Sequence, residues 1–317
     1  MKKKLYTITI IILILILILN IFIKSSTVTR TIIFSINLFI RNVFPSLFPM
    51  FIISSILVAI DIPKVLGNIF KRPMKILFKT KGEGAFVFFM SMITGFPSSA
   101  KYINELIDKK LINKKEAEKI LTFTFFSNPL FIVNTVGNLF LQSKTIGYYI
   151  LISHILGNIA TGLLFRNYNQ SVIINDNNKI NNIKYLYNKI NNTNIIETLF
   201  KAIKESLEIL LNIFAVITFF LIIINISFKD PSNPLIIPIS GILEMTTGLK
   251  YLSISDINYN IKILLSMFFI SFGGLSIHFQ IMSILNEKKV KYLPFLISRI
   301  THGLISVISL LVLLKII

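Results

Sequence analysis

The chain has 317 residues, 54% of them hydrophobic, and a mean hydropathy of +0.75, above the roughly 45–50% apolar content of a soluble domain. Its formal charge is +19 and it contains no cysteine, which excludes disulfides, thiolate metal sites, iron–sulfur clusters and cysteine nucleophiles. The basic residues lie between apolar runs, where they set topology and meet anionic lipid, so no nucleic-acid partner is expected.

Residues 1–4 supply three lysines, and residues 5–23 are almost wholly apolar. That run is long enough, at about 1.5 Å per residue, to cross a core of about 30 Å. No small-residue cleavage site follows, so an uncleaved first span is expected. The segment 31–60 contains Pro45 and Pro49, four residues apart, which predicts a kink. Residues 61–83 read as a basic loop with six Lys/Arg. The next segment, 84–100, is apolar up to Gly95-Phe96-Pro97 and then turns polar at Ser98 and Ser99, and 101–119 is amphipathic. Residues 121–141 are apolar but broken at Ser127-Asn128-Pro129, and 146–165 is a further span. Residues 166–198 hold eleven asparagines and read as a polar, flexible linker. Apolar stretches then follow at 206–228, 234–249, 263–285 and 292–314.

Three short stretches recur in order. Residues 94–100, 125–131 and 151–157 parallel 240–246, 269–275 and 296–303, at offsets of 146, 144 and 145. The competing explanation is chance similarity among Ile/Leu-rich helices. The charges test the pattern. With the N-terminus inside, and 84–100 and 234–249 as re-entrant hairpins, 24 of the 33 Lys/Arg fall inside and seven outside, a strong positive-inside bias. The second half is then inverted relative to the first. The expected fold is an all-α polytopic membrane protein, an inverted-repeat helical bundle with broken helices and re-entrant hairpins. Its expected parts are a span at 1–30, a first repeat at 31–165, an Asn-rich cytoplasmic linker at 166–205 and a second, inverted repeat at 206–317. A topology in which both short segments cross is the alternative.

In such a carrier the half-helix N-termini point at the solute, and their exposed N–H groups favour an anion. The candidates at the breaks are therefore Ser98, Ser99 and Lys101, with Glu244, Thr246 and Thr247 as counterparts, and Ser127 and Asn128 opposite Ser271, Gly273, Gly274, His278 and Gln280. Each has a plainer reading. The serines can bond back to the helix, the glycines can allow close packing, and Lys101 can snorkel to an interface. Glu244 is the only carboxylate between Asp230 and Asp256, and ionisable groups within membrane segments are costly and commonly functional. Arg41 and Arg299 also lie in apolar runs, and Arg299 could pair an anion or Glu244. His278 and His302 are candidates for proton coupling or for structural hydrogen bonds. No GxSxG, Walker motif, HExxH or carboxylate metal cluster appears. No enzyme, catalytic residue, metal or cofactor is therefore expected.

The stretches 94–101, 127–137, 241–248 and 271–280 resemble signature segments of the YlbJ-type sporulation integral membrane proteins, within the wider Gate, or nucleoside-recognition, group. The resemblance spans roughly residues 30–315. It implies a place in the mother-cell membrane around the forespore and a role in moving dipicolinic acid, a small dianion, toward the spore. Its implied partners are that solute, membrane lipid and other sporulation membrane proteins. A non-transporting sporulation scaffold and a nucleoside carrier are the alternatives.

Overall fold

The computed structural model describes residues 2–169, 182–228 and 233–315, and every regular element among them is helical. Six stretches are long and apolar enough to cross a membrane: Tyr6–Ile23, Ser25–Ala59, Lys144–Phe165, Ile195–Ser227, Tyr259–Ile284 and Tyr292–Lys315. The chain is a multi-pass helical membrane protein.

Helix α1 (Lys2–Ile23) packs lightly on α2 (Ser25–Leu38) and keeps its apolar side chains exposed. A π-helical turn, Phe39–Val43, joins α2 to α3 (Phe44–Ala59). Pro45 sits in the first turn of α3 and Pro49 within it. The expected kink is thus a π-bulge placed just before the prolines, where Arg41 is exposed.

Two expectations need correcting. The basic segment 61–83 is not a loop. It forms α4 (Ile62–Ile69) and α5 (Lys71–Phe78), whose Pro63, Gly67, Met74 and Phe78 turn inward. The lysines obscured this amphipathic spacing, because they cover the opposite face. The Asn-rich linker is also only partly linker. Residues 170–181 lie outside the described residues, but Asn182–Asn191 forms α10, and α11 (Ile195–Ser227) starts well before the apolar run. Asn194 caps α11 by accepting the Glu197 amide at 3.1 Å, an N-cap that nucleates the helix within polar sequence.

The remaining segments are broken. Helices α6 (Gly84–Thr94) and α7 (Ser98–Asp108) flank residues 95–97. The helix α8 (Lys114–Leu121), closed by an Asn113/Glu116 capping box, leads into the unwound stretch 122–128 and the π-helical Phe131–Phe140, and then α9 (Lys144–Phe165). In the second half, α12 (Ile236–Leu243) and α13 (Met245–Ile254) meet at Glu244. Helices α14 (Tyr259–Phe272) and α15 (Gly274–Ile284) meet at Gly273, and α16 (Tyr292–Lys315) ends the described chain. An 11-residue limb such as α6 or α7 covers about 16 Å, half a membrane core. The first and second halves of the chain meet through α9 with α16, α3 with α11, α7 with α15, and α13 with 131–140.

Candidate functional site

Three of the four breaks meet at one ring, Phe125, and the fourth joins them through Gly274. It stacks on Phe96 with centroids 4.8 Å apart. Gly273 leaves room for it: a Cβ there would run into the Phe125 ring. Gly95 has φ +81, and a Cβ on it would lie 2.6 Å from the Asn128 amide nitrogen. Gly274 has φ +72, and its Cβ would lie 2.9 Å from the Met245 nitrogen. Only glycine meets both the positive φ and the close backbone approach. Residues 95–97, 122–128, 244–245 and 273–274 therefore form a single junction.

Helices α9 and α16 supply its polar floor. Arg299 is fully buried. Its Nε donates to Ser298 Oγ at 3.3 Å, its Nη1 to Asn158 Oδ1 at 3.4 Å and to His302 Nδ1 at 3.1 Å, and its Nη2 to the Thr122 carbonyl. The guanidinium lies over Phe125 (4.7 Å) and Phe295 (5.4 Å). Of its five N–H donors, one on Nη2 has no acceptor among the described residues. No ion pair among those residues involves Arg299. A buried guanidinium without a carboxylate is expensive, by several kcal/mol.

The histidines hold the same floor in register. The Ser127 amide donates to His154 Nε2 at 3.0 Å. A neutral ring accepting there carries its proton on Nδ1, which faces Ser271 Oγ at 3.2 Å. His302 Nε2 donates to the His154 carbonyl at 3.0 Å. Its Nδ1 lies 3.1 Å from both the Arg299 Nη1 and the Ser271 carbonyl. A neutral ring protonated at Nε2 can serve only the arginine there. Asn158 Nδ2 donates to the Phe125 carbonyl, tying the floor to the ring where the breaks meet.

The sequence candidates divide sharply. Ser98 and Ser99 are buried in the first turn of α7. Ser98 bonds Thr94 Oγ1 at 2.6 Å, whereas the hydroxyls of Ser99 and Ser127 are buried with no partner among the described residues. Asn128 accepts the Leu130 amide at 2.8 Å and donates to the Thr94 carbonyl at 3.4 Å. It also borders a hollow of about 320 Å³ between α6 and α9. Ser271, Gly273, Gly274 and Arg299 belong to the junction. Lys101 does not: its ammonium reaches α3 at the Phe51 carbonyl (3.0 Å), Ser54 Oγ (3.1 Å) and Ser55 Oγ (2.7 Å), and pairs with Glu105 at 2.7 Å. Glu244 is at the junction but occupied. It caps α13, accepting the Thr246 amide at 3.0 Å and the Thr247 amide and hydroxyl at 2.7 and 2.6 Å. The pairing of Arg299 with Glu244 is thus corrected, since the carboxylate is spent on the helix end. His278 bonds Tyr292 at 3.0 Å and the Phe272 carbonyl at 2.8 Å, and Gln280 bonds Ser276 at 3.3 Å.

Sequence reading missed Asn158, His154 as a site residue, and Phe125. The signal was there for the polar pair: His154 and Asn158 are i,i+4 on α9, as Arg299 and His302 are i,i+3 on α16, so each pair shares a face. Nothing in the sequence singles out Phe125 among 28 phenylalanines.

Fold and site together define a polytopic helical membrane protein with discontinuous helices gathered on a buried polar centre. The chain is 29% identical over 302 residues to the sporulation integral membrane protein YlbJ of Bacillus subtilis (strain 168), covering 86% of this chain and 74% of that one. The similarity supports a YlbJ-type assignment. No family model matches it, and no solved structure matches it.

Proposed function

We propose that the chain is a secondary carrier of a small organic anion, and not an enzyme. On this reading it acts during sporulation from the mother-cell membrane around the forespore. The observation that carries this is Arg299, a buried guanidinium with a spare donor, no carboxylate partner among the described residues, and a seat against the Phe125 ring of the junction. A planar anion reaching the guanidinium would supply the missing charge and acceptor. The unpartnered hydroxyls of Ser99 and Ser127 would gain acceptors from the same solute. Dipicolinate, a rigid aromatic dianion, is the first solute to test, with movement toward the forespore as the proposed direction.

The experiment is dipicolinate flux into proteoliposomes holding the wild type, Arg299→Gln, and Ser99→Ala/Ser127→Ala, beside a nucleoside and dicarboxylate panel. Wild-type dipicolinate flux that Arg299→Gln abolishes supports the reading. A folded wild type that moves none of these solutes overturns it in favour of a membrane scaffold, and a nucleoside-only flux moves the assignment to a nucleoside carrier.

A further inference from the structure

The Lys101–Glu105 pair serves no purpose in the junction, yet it is the most buried ion pair among the described residues. Lys101 is 1% exposed. Its four oxygen contacts come from both helices it joins: Phe51, Ser54 and Ser55 on α3, and Glu105 on α7. Glu105 uses only one of its oxygens. Oε1 meets Lys101 at 2.7 Å and Ser55 Oγ at 2.5 Å, while Oε2 is buried with no partner. Beside it opens a cavity of about 440 Å³ that Glu105 lines together with the start of α11. A carboxylate oxygen left bare just behind a polar cavity is a poor structural choice but a good proton acceptor.

We propose that Glu105 is a proton-binding latch that holds the half-helix α7 to α3. A proton arriving through the cavity adds to Oε2 and leaves a neutral carboxylic acid; no covalent bond breaks. Lys101 then keeps its oxygen ligands but loses its ion-pair partner, and a buried ammonium without one is unfavourable. The α7–α3 contact loosens, and α7 carries Ser98 and Ser99 at the junction end. Protonation at one end of an 11-residue helix thereby releases the site at the other.

The surroundings leave Glu105 as the group that answers. On α7 itself the cavity is bordered by Asp108, which pairs with Lys288, and by Lys109, which pairs with Asp61. Helices α10 and α11 face it with Lys189, Glu197, Lys201 and Glu205, all near bulk water. Helix α3 brings hydroxyls but no charge, and α6 is uncharged. On α15 the lone titratable group, His278, is turned to Phe272 and Tyr292. On α8, Glu116 faces Lys81, Glu118 bonds Tyr168 and Asn169, and Lys119 bonds the Lys79 carbonyl.

The test has two arms, and only the transport arm rests on the carrier reading. In detergent, infrared spectroscopy should show a protonated-carboxyl band that grows as the pH is lowered in the wild type and is absent from Glu105→Gln. Amide hydrogen exchange along α7, corrected for intrinsic rates, should rise by up to about tenfold per pH unit lowered, the slope of an opening that takes up one proton. Glu105→Gln should remove that slope. Should the glutamine variant unfold, Lys101→Met/Glu105→Gln, which removes both charges, takes its place. A band that persists in the variant, or exchange along α7 without the extra pH dependence, overturns the latch. In proteoliposomes a pH gradient should accelerate anion flux in the wild type and not in Glu105→Gln. If no solute moves at all, the carrier reading fails while the infrared and exchange arms still decide the latch.

Discussion

Two of the cations buried in this protein are held in opposite ways. Lys101 lies between α3 and α7 with a carboxylate at 2.7 Å. Arg299 lies on the floor of the junction with a carbonyl, an amide, an imidazole, a hydroxyl and two aromatic faces, but no carboxylate. A charge neutralised within the protein joins two elements together. A charge held by neutral acceptors stays available to a charge from outside. In sequence the two looked alike, as basic residues in or beside apolar runs. The chemistry around them separates a fastening from a receptor.

That contrast is easiest to break at the fastening. Lys101→Met leaves Glu105 buried without its partner and should cost about 3–5 kcal/mol of stability, read as thermal unfolding in detergent. Lys101→Met/Glu105→Gln should recover most of it. Arg299→Met should behave the other way. Solute affinity falls by roughly 2–5 kcal/mol, while the unfolding temperature holds or rises, because the variant no longer buries a lone charge. A drop in thermal stability as large as that of Lys101→Met would make Arg299 a structural brace. Glu244→Ala should cost about 1 kcal/mol through the lost cap of α13, without changing which solutes compete in a transport assay.

The smallest effect belongs to an ion cluster at the aqueous end. Burial raises the Asp61 carboxyl, but hydrogen bonds from Tyr185 and Lys64 and the charge of Lys109 outweigh it and hold the group down at about 2. Its contribution is therefore complete above its ordinary value of 3.8 and fades as the pH falls toward 2. The difference in α10 protease sensitivity between wild type and Asp61→Asn should be largest near neutral pH and vanish in acid. It should also shrink in high salt, since the lysines are partly exposed.

The places where the helices break were legible in sequence, because Gly95-Phe96-Pro97, Ser127-Asn128-Pro129 and Gly273-Gly274 announce themselves in apolar runs. What those residues do was less so. Glu244 read as a stray intramembrane charge because its three hydrogen bonds come from residues two and three positions on, and only a helix starting there reveals a cap. The i,i+4 spacing of Lys101 and Glu105 was visible, but the acceptors that bury the pair come from Phe51, Ser54 and Ser55, some fifty positions earlier. Nor does any local pattern bring Thr122, Asn158 and Arg299 together. Local chemistry marks where a chain must stop being a helix, and long-range packing decides what the stopped ends face.

Helix α11 has 33 residues, about 50 Å, against a membrane core of about 30 Å. Its first turns, with Lys201, Lys204 and Glu205, stand some 20 Å clear of the bilayer. Because α3 packs along α11, rocking of α3 carries that end with it: a tilt of about 10° sweeps it through roughly 3–4 Å. The helix is a built-in pointer, and a fluorophore at the exposed Ile196 would turn a movement inside the membrane into a signal read from the water.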